Sequence, residues 1–300
     1  MLLAMRTIYR IVFLAVVVSA TLPTSMAQSK SEPLPIGNCP RLSNLDDEQK
    51  FADFDVRIYR GGEDAFDGCV QIFKSKQLVF SKREEGRFAI GNDIDHGGNV
   101  PAIPIGTDIT GRGKPDLILN EWSGGAHCCF TFHVVELSDH PREIASVQAE
   151  HSDYAHFEDL NHDGIYEFTG WDFTFAYWHA AFLQSPAPKI VLRFNGTRYE
   201  LALSLMRQPP PSADQLATTE AKVRRDAWDD KFPPPLLWGT MLDLIYTGHS
   251  DLAWQFADTA WVPGNIGEPE FLKEFCRQLS SSPYFAQLRP TIQSAPCSFR

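Results

Sequence analysis

Beyond its N-terminal segment the sequence has no uncharged run of membrane-spanning length. The one apolar stretch, Ile11 to Ala20, is about half of the roughly 20 residues a span needs, and Pro23 follows it. Positive charge is also scarce: 27 Lys and Arg stand against 38 Asp and Glu, a formal net charge of −11. That balance argues against nucleic acid and anionic membranes as partners and suits soluble cations. Catalytic signatures are missing too. There is no G-x-S-x-G elbow, no H-E-x-x-H, no phosphate-binding glycine loop and no Cys-His signature, so no catalytic residue is assigned. Ser123-Gly124-Gly125 comes nearest to an exposed nucleophile turn, but strands are expected on both sides of it, where such a serine needs a strand-to-helix turn.

What is present begins with an export pattern. Arg6 and Arg10 precede the short apolar run, and Ser25-Met26-Ala27 places small residues at −3 and −1 of a cut before Gln28. Residues 1–27 are therefore expected to be a signal peptide cleaved near Ala27. The mature chain is expected to be secreted or periplasmic, without a transmembrane segment, and no Cys follows the cut to accept a lipid anchor. All six cysteines lie after it, where an oxidising compartment makes disulfides the default use. Cys276 with Cys297 would close a short loop near the C-terminus; Cys39 and Cys69 have Cys128 or Cys129 as possible partners.

The pattern along the chain divides it into an extension over 28–52, a β domain over 53–205 and a small α-helical C-terminal domain over 206–300, a mainly β fold in total. From Asp53 to Leu203 short runs alternate with period 2, as in Val70-Gln71-Ile72-Phe73 and Phe130-Thr131-Phe132-His133-Val134, and Gly, Asn and Asp break them. Lys74-Ser75-Lys76-Gln77 and Asn195-Gly196 read as hairpin turns. After Pro209-Pro210-Pro211, Ser212 and Gln215 have capping-box spacing for a helix reaching about Asp230. Further helices are expected near Leu236 to Thr247, near Asp251 to Trp261 with Gly248 as a stop and Ser250 as a cap, and from Pro269 with Phe271, Leu272, Phe275 and Leu279 on one face.

Asp159-Leu160-Asn161-His162-Asp163-Gly164-Ile165-Tyr166-Glu167 puts oxygen side chains at loop positions 1, 3, 5 and 9 and Gly at 6. A hard cation needs six to eight oxygens, and alternate residues on a curled loop point inward to supply them. The expected ligand is Ca2+, held by the side chains of Asp159, Asn161, Asp163 and Glu167 and the carbonyl of Ile165; the simpler reading is a polar turn whose Asp and Asn cap their own backbone. An EF-hand would carry Glu at position 12, which here is Gly170, and would be flanked by helices rather than strands.

The loop resembles instead that of FG-GAP and VCBS repeats, the blade units of integrin-type β-propellers and of exported bacterial proteins. A second copy starts about 50 residues earlier, at Asp108-Ile109-Thr110-Gly111-Arg112-Gly113-Lys114-Pro115-Asp116, and a period near 50 suits a four-stranded blade. This copy has Thr110 at position 3 and Arg112 at position 5. Arg112 is expected to sit between Asp108 and Asp116 as an internal substitute for a metal. The resemblance implies β-propeller-like blade units and calcium, and carries no activity.

His127, Cys129 and His133 alternate on one strand face, but that row spans roughly 20 Å, too far for one zinc ion, so disulfide use of Cys129 is favoured. Trp171, Phe173, Phe175 and Tyr177 read as one face of a strand, either a core face or a sugar-stacking surface beside the calcium. The functional expectation is a calcium-binding, non-enzymatic binding or scaffold protein of the cell envelope whose ligand is an unknown protein or glycan. The alternative is a calcium-dependent hydrolase acting on an extracellular polymer or phosphoester.

Overall fold

The computed structural model describes residues 39, 44–61, 66–92, 100–125, 128–228, 232–292 and 297. The expected signal peptide, and most of the 28–52 extension, lie outside them. Among the described residues twelve strands form three antiparallel four-stranded sheets, each taken up in chain order. The first holds β1 (Asn44–Phe51), β2 (Phe54–Arg60), β3 (Gly68–Lys74) and β4 (Gln77–Glu84). The second holds β5 (Arg87–Ile90), β6 (Asp116–Trp122), β7 (Phe130–Glu136) and β8 (Arg142–Glu150). The third holds β9 (His156–Glu158), β10 (Glu167–Trp171), β11 (Lys189–Phe194) and β12 (Tyr199–Leu201).

The turns are those the sequence marks. Ser75 and Lys76, both at positive φ (48° and 70°), join β3 to β4 as the two-residue hairpin twist requires. Between β11 and β12 the Asn195 side chain accepts hydrogen bonds from the Thr197 and Arg198 amides at 3.0 Å each, and Gly196 takes φ 101°. β1 extends the sheet structure to residues before Asp53. Its sequence, Asn-Leu-Asp-Asp-Glu-Gln-Lys-Phe, has no apolar alternation because it is an edge strand exposed along most of its length, and charge there blocks pairing with another chain.

Alternation along the middle sheet decides the stacking. One face of it, Leu117, Leu119 and Val135, joins Val56, Ile58, Val70 and Ile72 of the first sheet in one buried cluster. The opposite face, Ile118, Phe132, Val134 and Val147, joins Phe157, Phe168, Ile190 and Leu192 of the third sheet. The middle sheet is thus buried on both faces, which is why Leu117, Ile118 and Leu119 of β6 are apolar without alternation.

The C-terminal part is helical: α1 (Leu203–Met206), α2 (Ala213–Arg225), α3 (Pro235–Tyr246), α4 (Ser250–Ala260), α5 (Glu268–Leu279) and α6 (Phe285–Leu288). Ser212 and Gln215 make the capping box in both directions. Gly248 ends α3 at φ 87°. Ser250 is not the cap of α4: His249 takes that place without a side-chain bond, and Ser250 Oγ donates to the Thr291 carbonyl at 2.7 Å. Trp238, Met241, Phe256, Phe271 and Phe275 belong to the same buried cluster as the third sheet, so helices and strands share one core.

Candidate functional site

The two aspartate loops have the same backbone. In the later one, Asp159 Oδ1 and Oδ2 accept the amides of Asp163 and Gly164 at 3.0 Å each. In the earlier one, Asp108 Oδ1 and Oδ2 accept the amides of Arg112 and Gly113 at 3.0 and 2.6 Å. The first residue of each loop therefore ties down positions 5 and 6. Position 4 is left-handed in both, Gly111 at φ 68° and His162 at φ 59°, and so is position 6, Gly113 at 70° and Gly164 at 84°. The pair also dock on one another. The Tyr166 amide donates to the Ile109 carbonyl at 2.9 Å, and a Cβ on Gly111 would lie 2.6 Å from Ile165 Cγ1, so Ile165 packs onto a surface only glycine leaves open.

Each loop then receives a guanidinium. Arg112 reaches Glu136 through Nη1 at 2.8 Å, stands 3.6 Å from Asp116 Oδ1 through Nη2, and donates from Nε to Thr110 Oγ1 at 3.1 Å. The expected bridge from Asp108 to Asp116 is not formed. The Asp108 carboxylate is already spent on loop amides, and the second acid is Glu136, the last residue of β7, which only the sheet brings near. Asp116 is buried; its Oδ2 accepts the Thr110 amide and hydroxyl at 3.2 and 2.8 Å. Burial pushes its carboxyl up, against the Thr110 bonds and Arg112. Around this acid the buried Asp116 Oδ1 and Tyr199 hydroxyl have no hydrogen-bond partner.

In the later loop the guanidinium comes from β11. Arg193 donates from Nη2 to Asp163 Oδ2 at 2.7 Å and from Nη1 to Glu167 Oε1. The bond from Arg193 holds the Asp163 carboxyl below the ordinary carboxylate range. The remaining Asp163 oxygen accepts the Ile165 amide at 3.0 Å, and Glu167 Oε2 accepts the Leu160 amide at 3.1 Å. Asn161 turns its Nδ2 toward Asp163 Oδ2, 3.0 Å away, so its amide donates where a cation would need oxygen. Of the five expected calcium ligands, Asp159, Asn161, Asp163 and Glu167 thus have their side chains engaged in the protein. Among the described residues no three His, Cys, Asp or Glu side chains converge to hold an ion. As placed, the donor set does not fit calcium.

Other expected sites resolve differently. Trp171 ends β10, and residues 172–180 run through turns, so no strand face joins the aromatics. Phe175 is buried and packs edge-on against Trp178 (5.0 Å), which meets Trp238 at 5.3 Å, whereas Tyr177 is 59% exposed. His133 touches no thiol: its Nε2 lies 2.9 Å from Glu121 and its Nδ1 3.3 Å from Glu143. His127 lies outside the described residues. The cysteines are placed for bridges Cys39–Cys69, Cys128–Cys129 and Cys276–Cys297; the last is the expected pair, while Cys39 and Cys69 meet each other and not Cys128 or Cys129, named above as possible partners.

In the sequence Asp172 is one acid close to the 159–167 loop, without a motif of its own. Its Oδ1 accepts the Thr174 amide at 2.9 Å, and its Oδ2 accepts the Ser282 hydroxyl at 2.6 Å and the Tyr246 hydroxyl. This buried carboxylate pins α3 and the end of α5 to the exit of β10. Arg193 had a readable signal as the one charge inside Ile190-Val191-Leu192-Arg193-Phe194; Glu136 had none.

Comparisons with protein-family models, with curated proteins and with solved structures gave no match.

Proposed function

We propose that this chain is a secreted or periplasmic binding or scaffold protein without catalytic activity, built from propeller-type blade units of the FG-GAP/VCBS kind and presenting their surface to a protein or glycan ligand. The observation that carries this reading is the repeat of one loop geometry, position by position, at the entries to β6 and β10, within three sheets that each run in chain order. A repeat of this sort is a way of building surface: each unit hides its apolar faces against its neighbours and leaves its turns outside. The acids around the loops are consumed by amides and guanidinia, which leaves them a holding role. An open hollow of ≈ 460 Å³, lined by Asn161, Asp163, Arg193, Asn195 and Glu200 among others, lies beside the later loop.

The test pairs a glycan array and a pull-down with a turnover screen on glycosidic and phosphoester substrates. Saturable binding of a glycan or a defined protein without turnover supports the reading. Turnover that survives repurification overturns it.

A further inference from the structure

The two loops share a frame and differ in where their positive charge comes from. The earlier loop carries it in its own fifth residue, Arg112; in the later loop that position is Asp163, and the charge arrives from the neighbouring strand. Arg193 sits next to the Phe168–Leu192 pair of the β10–β11 ladder, which sets it beside Glu167, the residue that opens β10. Glu167 is fully buried and its two oxygens face Arg193 and the Leu160 amide, so its carboxylate has no solvent route to neutralisation. Arg193 also reaches Asp163, so one planar fork satisfies two acids four residues apart in the loop.

We propose that Arg193 is the resident cation of the 159–167 loop, so that this loop, like 108–116, is closed by a guanidinium and takes a divalent ion only once Arg193 is removed. Two effects favour the guanidinium. It is tethered to β11 and competes at an effective concentration of at least millimolar order, the range in which extracellular calcium modules bind, with Kd of about 0.1 to 1 mM. An incoming doubly charged ion would also have to displace Arg193 from the same two carboxylates or sit against it, and like charges at that spacing repel. The proposal concerns how the 159–167 loop is closed onto β11 within the third sheet and is independent of which ligand the protein binds.

Thermal unfolding of the full chain separates the cases, in chelator, in millimolar magnesium and in millimolar calcium, for wild type, Arg193→Lys and Arg193→Gln. Wild type is expected to melt at the same temperature in all three. Arg193→Gln, with Glu167 buried and unpaired, should melt about 5 °C lower in chelator and recover most of that loss in calcium. Arg193→Lys, a point charge without the fork, should fall between and stay insensitive to calcium. A calcium-dependent rise of about 3 °C or more in wild type would overturn the proposal, as would an Arg193→Gln variant that ignores calcium. If Arg193→Gln does not fold, terbium titration of wild type decides: no saturable luminescence in the micromolar range upholds the guanidinium, and saturable binding there removes it.

Discussion

His133 should make the stability of this protein fall as pH rises from 6 to 9. The ring is buried in the middle sheet, and both nitrogens face carboxylates, Glu121 on β6 at 2.9 Å and Glu143 on β8 at 3.3 Å. Neutral imidazole has one N–H, so only the imidazolium donates to both. Burial pulls the pKa of His133 down, but the hydrogen bonds to Glu121 and Glu143 outweigh it, and the net shift is upward from 6.5. Lys82 on β4 approaches from the first sheet, 3.3 Å from Glu143, and itself holds Glu84 at 2.9 Å; the Phe88 ring covers the imidazole at 6.0 Å. Because the folded pKa lies above the unfolded one, the contribution is complete below 6.5 and is lost as pH climbs through the folded value. Glu143 bounds the window from the other side: His133 lowers its pKa from 4.5, so its share is complete above 4.5 and fades as pH falls through the folded value. One charge-assisted bond lost on deprotonation costs about 2 kcal/mol, or roughly 3 °C in melting temperature for a chain of this size. The assay is calorimetry from pH 5.5 to pH 9 on wild type and His133→Gln, with the difference between the two curves isolating His133 from every other titration. A His133→Gln curve that keeps the wild-type slope above pH 6.5 would refute the reasoning.

Arg112→Ala leaves the buried Asp116 and Glu136 with only the exposed Arg142, 3.7 Å from Glu136, as a cation, and should cost about 3 kcal/mol in urea unfolding; Arg112→Lys should recover part of it, and an Arg112→Ala protein as stable as wild type would remove the ion cluster as a support. Asp172→Asn weakens the bonds from Tyr246 and Ser282 and should cost about 2 to 4 kcal/mol, with hydrogen exchange accelerating first in α3 and at the end of α5; uniform acceleration over all elements would argue that the helices are not hung on this acid. Unreduced, alkylated protein should carry no label on the described cysteines, and its peptide map should join Cys39 to Cys69 and Cys276 to Cys297. A Cys39 peptide joined to Cys128 or Cys129 would contradict the placement.

Much of the fold is legible in the sequence because it depends on local chemistry. The Ser212 to Gln215 box, the Gly248 stop, the Ser75-Lys76 turn and the alternation within β3 and β7 all state their geometry within a few residues. The charged strand β1 is not legible, since an exposed edge strand has no buried face to impose a period. The 172–180 segment misleads for a related reason: aromatic alternation looks like a strand, but Asp172 ends the ladder by binding Thr174, Tyr246 and Ser282, and the rings are then sorted between core and surface by the helices. The loops are legible as loops with glycine at the sixth position, but the left-handed turn at Gly111 and His162 is not. Nor are the loops' partners, because Glu136 and Arg193 enter through strand register, which no spacing rule within the loop can reveal.

The middle sheet shows why a protein of this kind would place ions where it does. Its two apolar faces supply adhesion to both neighbours, yet apolar contact is non-directional and does not fix how far one sheet slides on the next. Each face carries a charged cluster off its apolar centre: His133, Glu121, Glu143 and Lys82 toward the first sheet, Arg112, Asp116 and Glu136 on the side where Phe194 of the third sheet lies 5.7 Å from the Arg112 guanidinium. Ion pairs of this depth repay little net stability over apolar packing but penalise a shifted register, since a slide of strand on strand leaves His133 or Arg112 alone and a slide of the first sheet parts Lys82 from Glu143. The docked loops add a backbone lock between Tyr166 and Ile109. The clusters differ in what can open them. A guanidinium keeps its charge in mild alkali and an imidazolium does not, so mild alkali should loosen β7 from β6 and β8 around His133 before it touches the clusters held by guanidinia.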